Sequence, residues 1–70
     1  MTLKAKVNEL QATRIKKGLS IRALSKIAGL STATIFKIEH ESNVPMPSTA
    51  KKICEALGVK FDEIFEIVTN

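Results

Sequence analysis

The chain has 70 residues and carries 11 Lys+Arg against 7 Asp+Glu, a formal net charge of +4 with its single His neutral. Apolar residues make up 44 % of it, with three Phe and no Trp or Tyr, enough for one small core and no second. That excludes a multidomain enzyme with a cleft between lobes. One Cys forms no internal disulfide, and one Cys with one His leaves no Cys₄, Cys₂His₂ or His₃ metal site.

No apolar run approaches the ~18 residues of a membrane span. The stretch Met1-Thr2-Leu3-Lys4-Ala5-Lys6 lacks the apolar centre of a signal peptide. A soluble protein of a reducing, intracellular compartment is the expectation. Charge is uneven: residues 1–40 hold eight bases and two acids, whereas residues 41–70 hold three bases and five acids. A basic N-terminal half points to a polyanion on that side. A net charge of this size also simply keeps a small protein soluble.

Apolar residues recur at spacings of three and four, the helical period, and no strand-length alternation stands out. Five short helices and a single all-α domain over 1–70 are expected. The first covers about 3–17, with Leu3, Val7, Leu10 and Ile15 inward and Gly18 as its stop. The second covers about 21–28, capped by Ser20, with Leu24, Ile27 and Ala28 inward and Gly29 ending it. The third covers about 32–40, capped by Ser31. The fourth covers about 47–57, with Pro47 at its first position (or Ser48 as its cap) and Gly58 after its end. The fifth covers about 61–68, with Phe61, Ile64, Phe65 and Val68 on one side and a poor capping residue, Lys60, before it.

The second and third helices are separated only by Gly29-Leu30-Ser31, the short glycine-containing turn of a helix-turn-helix. At about 100° per residue, Ile35 and Ile38 share one arc of the third helix with Thr34 beside them. The opposite arc holds Thr32, Ala33, Phe36, Lys37 and His40. Small side chains plus one base, just after a helix N-terminus, suit entry into a DNA major groove.

These residues carry a resemblance. Leu10 with Arg14, Gly18-Leu19-Ser20, Leu24 to Ser31, Thr34 to Glu39, Pro45 and Ile53 to Val59 resemble the Cro/phage-repressor (XRE) family over residues 3–67. The resemblance implies a five-helix domain that binds specific DNA sequences as a cytoplasmic, nucleoid-associated regulator of bacterial or phage origin. Such a regulator is usually a repressor and a dimer on a palindromic operator, with no cofactor. Thr32, Ala33 and Lys37 match its base-reading positions, with Phe36 among them. Ser20, Ser31, Asn43 and Val44 match stretches that meet phosphates; Ile21 and Arg22 beside Ser20 are further candidate phosphate contacts, and Lys17 next to Gly18 is either another or a solvated helix end. Arg14 and Glu39 match an ion pair tying the first helix to the third.

Two departures stand out. Where many relatives have Gln, this chain has Ile21, Thr32 and Ala33, so side chains that read adenine bidentately are missing. Base readout then rests on thymine methyls against Thr32 and Ala33, on Lys37, and on DNA shape. Glu41 stands where relatives often have Gly after the third helix.

Several residues have two readings. Phe36 either meets base methyls or folds over Ile21 as a surface cluster. His40 is a helix-end residue suited to the dipole or a phosphate contact. Cys54 reads as a packed thiol rather than a nucleophile. Phe61, Ile64, Phe65 and Val68 either form a two-fold dimer contact or close the monomer core. No base accompanies Cys54 or His40, and Asp62 and Glu63 diverge on a helix, so an enzyme is not expected. The alternative to a DNA regulator is a protein-interaction module of the same fold, such as an antitoxin or the regulator of a toxin–antitoxin or phage immunity pair.

Overall fold

The computed structural model describes residues 1–41 and 44–69. In chain order they form β1 (Thr2–Ala5), α1 (Val7–Lys16), α2 (Ile21–Ala28), α3 (Thr32–His40), α4 (Pro47–Leu57), α5 (Phe61–Ile64) and β2 (Phe65–Val68). The helical fold matches expectation, with a small two-stranded sheet added where the chain ends meet.

Three helices stop in the same way. After α1, Leu19 N–H donates to the Arg14 carbonyl at 3.1 Å and Gly18 N–H to the Ile15 carbonyl at 2.9 Å. The same paired bonds follow α2, from Leu30 to Ser25 and Gly29 to Lys26, and α4, from Val59 to Cys54 and Gly58 to Glu55. Each is a Schellman turn, which satisfies the last carbonyls of the helix and turns the chain back. The residue after each glycine is apolar, and Leu19, Leu30 and Val59 all pack on the core. The three Gly-Leu/Val dipeptides thus fix both where each helix ends and which way the chain leaves it.

The core gathers Leu10 of α1, Leu24 of α2, Ile35 and Ile38 of α3, Ala50, Ile53 and Leu57 of α4, and Ile64 and Phe65. Pro47 opens α4 at a position where its missing N–H costs nothing. Lys60 offers no side-chain acceptor ahead of α5, and Glu63 compensates: its carboxylate accepts the Lys60 backbone N–H at 2.7 Å.

The two ends of the chain depart from the helical expectation. The first helix begins at Val7, not residue 3, and the last stops at Ile64, not 68. The intervening residues pair antiparallel, with Thr2 opposite Val68, Leu3 opposite Ile67, Lys4 opposite Glu66 and Ala5 opposite Phe65. A helix would have spread Phe65, Ile67 and Val68 around its surface. A strand instead puts Phe65 and Ile67 on one face, where Phe65 is fully buried beside Ala5. Lys4 and Glu66 face each other across the strands, a favourable cross-strand pair. Lys6 continues the closure: its N–H donates to the Ile64 carbonyl and its Nζ to the Asp62 carbonyl, both at 2.9 Å.

Two residues expected inward face water. Ile15 is 65 % and Ile27 58 % exposed. The inward line of α1 runs through Val7, Leu10 and Arg14, and that of α2 through Ile21, Leu24, Ser25 and Ala28. Ile15 and Ile27 each lie about 100° off those lines. Leu10→Ala should therefore cost ~2–5 kcal/mol in urea unfolding. Ile15→Ala should stay within ~0.5 kcal/mol.

Candidate nucleic-acid interface

The α2–turn–α3 unit is held by hydroxyls at both helix starts. Ser20 Oγ accepts the Ala23 N–H at 3.0 Å, and Ser31 Oγ accepts the Thr34 N–H at 3.1 Å. Ser31 and Thr34 hydroxyls also meet at 2.7 Å. Gly29, between the helices, sits at φ +71°, a conformation that a residue with a Cβ rarely adopts. The amides of Ile21 and Arg22, and of Thr32 and Ala33, lie ahead of the capped positions, at the positive ends of the two helices.

A second link crosses the turn. Buried Ser25 donates its hydroxyl proton to the Arg22 carbonyl at 2.7 Å, and its oxygen lies 3.3 Å from Thr32 Oγ1. A hydroxyl has one proton, so in the second contact Thr32 donates. The Thr32 hydroxyl is thereby tied back to Ser25, while the residue as a whole stays exposed.

Below this unit, Arg14 fixes the far end of α3. Its Nε donates to Glu39 Oε2 at 2.9 Å and its Nη2 to Oε1 at 3.1 Å, a two-pronged ion pair. Its Nη1 donates to the Leu19 carbonyl at 2.9 Å. The Glu39 side chain is wholly buried and that of Arg14 is 12 % exposed. One guanidinium thus joins α1, the α1–α2 turn and α3. The structure brings Arg14 and Glu39 together, the pair that the resemblance implied.

The other arc of α3 is open. Thr32, Ala33, Phe36, Lys37 and His40 are all exposed, while Ile35, Ile38 and Glu39 are buried and Thr34 lies between. The Phe36 ring stacks on His40, one turn along, with centroids 4.5 Å apart and planes at 33°; it remains 46 % exposed. The ring therefore stays on the outward arc. Glu41 ends the helix, its N–H bonded to the Lys37 carbonyl at 2.9 Å.

The candidate phosphate-facing residues divide. Ser20, Arg22, Ser31, Lys17 and Val44 are exposed. Ile21 is half-buried and packs against the core. Asn43 lies outside the described residues. Of the apolar residues near the C-terminus, Ile64 and Phe65 are fully buried in the monomer. The expectation that they form a dimer contact is corrected: they close the core. Phe61 is half-buried and stacks on Phe65 at 5.6 Å, and Val68 is half-buried.

Cys54 is 7 % exposed. Burial pushes its thiol up from the ordinary value, and the nearby Glu63 and Glu55 carboxylates add to the shift. Such a thiol packs; it does not attack. The Ser25–Thr32 link was missed in the sequence. Its signal is a pair of hydroxyl residues on either side of a three-residue turn, too common a pattern to single out alone.

The ion pair makes a sharp prediction. Arg14→Ala leaves Glu39 charged and buried without its partner and should cost ~3–5 kcal/mol in chemical unfolding. Arg14→Met with Glu39→Leu should recover most of that loss, because the stranded charge goes with its partner.

The helix-turn-helix family profile matches residues 10–64. The HTH-type transcriptional repressor RghR of Bacillus subtilis is 36 % identical over 55 residues, 77 % of this chain and 41 % of that protein. The uncharacterized HTH-type transcriptional regulator YgzD of the same bacterium is 35 % identical over 63 residues, 90 % of this chain and 91 % of that protein. Among solved structures, an HTH_3 family transcriptional regulator from Vibrio cholerae superposes with a TM-score of 0.74 at 32 % identity, over 81 % of this chain and 32 % of that one. The regulator VanUg shares the fold with a TM-score of 0.75 at 21 % identity, over 100 % of this chain and 92 % of that one. This chain spans about two fifths of RghR and a third of the Vibrio cholerae protein. Among the described residues, no helix is long and apolar enough to cross a membrane. The capped turn, the two-sided third helix and these matches together place the chain in the helix-turn-helix (XRE) family of transcriptional regulators, a DNA-binding family and not an enzyme family.

Proposed function

We propose that the protein is a sequence-specific repressor that acts in the cytoplasm as a homodimer on a palindromic operator, with α3 in the major groove. The observation that carries this reading is the division of α3. Its buried arc is anchored by Ile35, Ile38 and the Arg14–Glu39 pair, and its exposed arc presents Thr32, Ala33, Phe36 and Lys37. The repressor named among its relatives supports repression as the direction of control.

The chemistry of the arc narrows the readout. Thr32, its hydroxyl proton held by Ser25, offers its methyl, and Ala33 offers another; both fit thymine methyl groups. Lys37 reaches guanine O6 and N7. Phe36, steadied by His40, adds an apolar face to the same surface. The helix starts at Ser20 and Ser31 present amides to phosphates, which set register without reading sequence. A two-fold dimer would set two such helices ~34 Å apart, one turn of DNA.

Selection of binders from randomised duplex DNA at several salt concentrations tests the proposal. The expected result is a two-fold symmetric motif. Lys37→Ala should lower affinity for it by ~1–3 kcal/mol and relax one base position. Lys17→Ala should weaken all sequences alike and reduce the salt slope by about one. A salt-dependent affinity with no enriched motif would leave only the phosphate contribution. It would move the function to a protein partner, as in an antitoxin-like module.

A further inference from the structure

Among the described residues two polar ones, Ser25 and Glu39, are buried. Glu39 is held by Arg14. Ser25 meets no such need of the fold. It lies in α2 with its hydroxyl bonded to the Arg22 carbonyl at 2.7 Å, yet the helical pattern already gives that carbonyl the Lys26 amide. Alanine would fill nearly the same space and bring no polar atom to bury.

What Ser25 has is a partner across the turn. Its oxygen lies 3.3 Å from Oγ1 of Thr32, the first residue of α3. Ser25 does not donate in this contact, because its single proton goes to the Arg22 carbonyl and burial leaves the hydroxyl almost no water to turn to. Thr32 therefore gives its proton to Ser25. A contact this long is a weak hydrogen bond and contributes little to stability. It is enough to favour one χ1 position of a β-branched side chain and to occupy the only proton that side chain has.

The consequence falls on base recognition. A threonine hydroxyl with a free proton both donates and accepts, so it meets the edge of any base. With the proton withheld, it has no donor for guanine O6 and N7 or for thymine O4. It keeps a methyl group and the lone pairs of its oxygen. In the major groove only an A·T pair shows a methyl group and an amino donor together; a G·C pair shows the cytosine amino group without a methyl.

We propose that Ser25 is a positioning residue for specificity: buried behind the recognition surface, it holds Thr32 in the form that prefers an A·T pair and disfavours guanine. This rests on the reading of α3 as the DNA-reading helix.

Selection from randomised duplex DNA, run in parallel on the wild type, Ser25→Ala, Thr32→Val and the double variant, tests it. The position whose preference changes in Thr32→Val is the one Thr32 reads, and the wild type should prefer A·T there. Ser25→Ala should admit G·C at that position, its preference for A·T falling about two- to tenfold, the range of one net hydrogen bond. All other positions and the salt slope should be unchanged. In the Thr32→Val background Ser25→Ala should change nothing further, because its partner is gone. Thr32 χ1 couplings, measured by NMR without DNA, should report one rotamer in the wild type and averaging in Ser25→Ala. A motif unchanged by Ser25→Ala overturns the proposal. So does a loss of affinity spread evenly over all sequences, or a shift that persists in the Thr32→Val background. Couplings that are the same in the wild type and Ser25→Ala overturn it without reference to DNA. The two readings fail differently: a wild type that enriches no motif sinks the sequence-reading function itself, whereas a motif that Ser25→Ala leaves intact sinks only the role of Ser25.

Discussion

The placement of α3 depends on one largely buried guanidinium. Arg14 spends three nitrogens on two partners, the Glu39 carboxylate and the Leu19 carbonyl, and so ties three parts of the chain at one point. A buried carboxylate is costly to hold, and Glu39 is buried completely. The pair is therefore better understood as a constraint on geometry than as a source of stability. With Arg14 in place, Glu39 faces inward. The helical period then sets Lys37 on the opposite side, and with Ile35 and Ile38 also inward Phe36 falls on the outward arc.

The opposite end of α3 is set by shorter-range means. Gly29 turns the chain, Leu30 packs on the core, Ser31 caps the new helix, and Thr32 reaches back to Ser25. None of these contacts is strong by itself, since a net hydrogen bond contributes about 0.5–1.5 kcal/mol. Together they leave α3 little freedom to roll or slide against α2. A helix held at both ends, with small residues on its outer arc, is a rigid edge suited to a groove whose floor is a fixed pattern of donors, acceptors and methyls. Under the proposed function, the absence of Gln at Ile21, Thr32 and Ala33 would shift that readout from bidentate adenine contacts to methyl contacts and one lysine.

Much of this was legible in the sequence because its causes are local. Ser20 and Ser31 announce helix starts, Gly18, Gly29 and Gly58 announce stops, and the spacing of Ile35 and Ile38 divides α3. The Arg14–Glu39 pair, 25 residues apart, came from the family pattern instead. The two strands were not legible. Each is four residues long, and the partner that satisfies its backbone lies some sixty residues away. Thr2-Leu3-Lys4-Ala5 does alternate polar and apolar, but so short a stretch also fits a helix. Ile15 and Ile27 were misplaced for a related reason: their type says inward, and only the exact centre of each helix face, set by packing, says otherwise. The C-terminal apolar residues were too numerous for one helical face. The strand resolves that excess by burying Phe65 and leaving Ile67 exposed.

The central claim is that the exposed arc of α3 is where DNA is met. Backbone amide shifts, followed by NMR as operator-length duplex is added, test this most directly. The account predicts the largest changes at Thr32, Ala33, Phe36 and Lys37 and at the amides of Ile21 and Arg22, with little change along Lys51, Cys54 and Ile67. Changes concentrated around Lys51 and Ile67, with α3 silent, would contradict it.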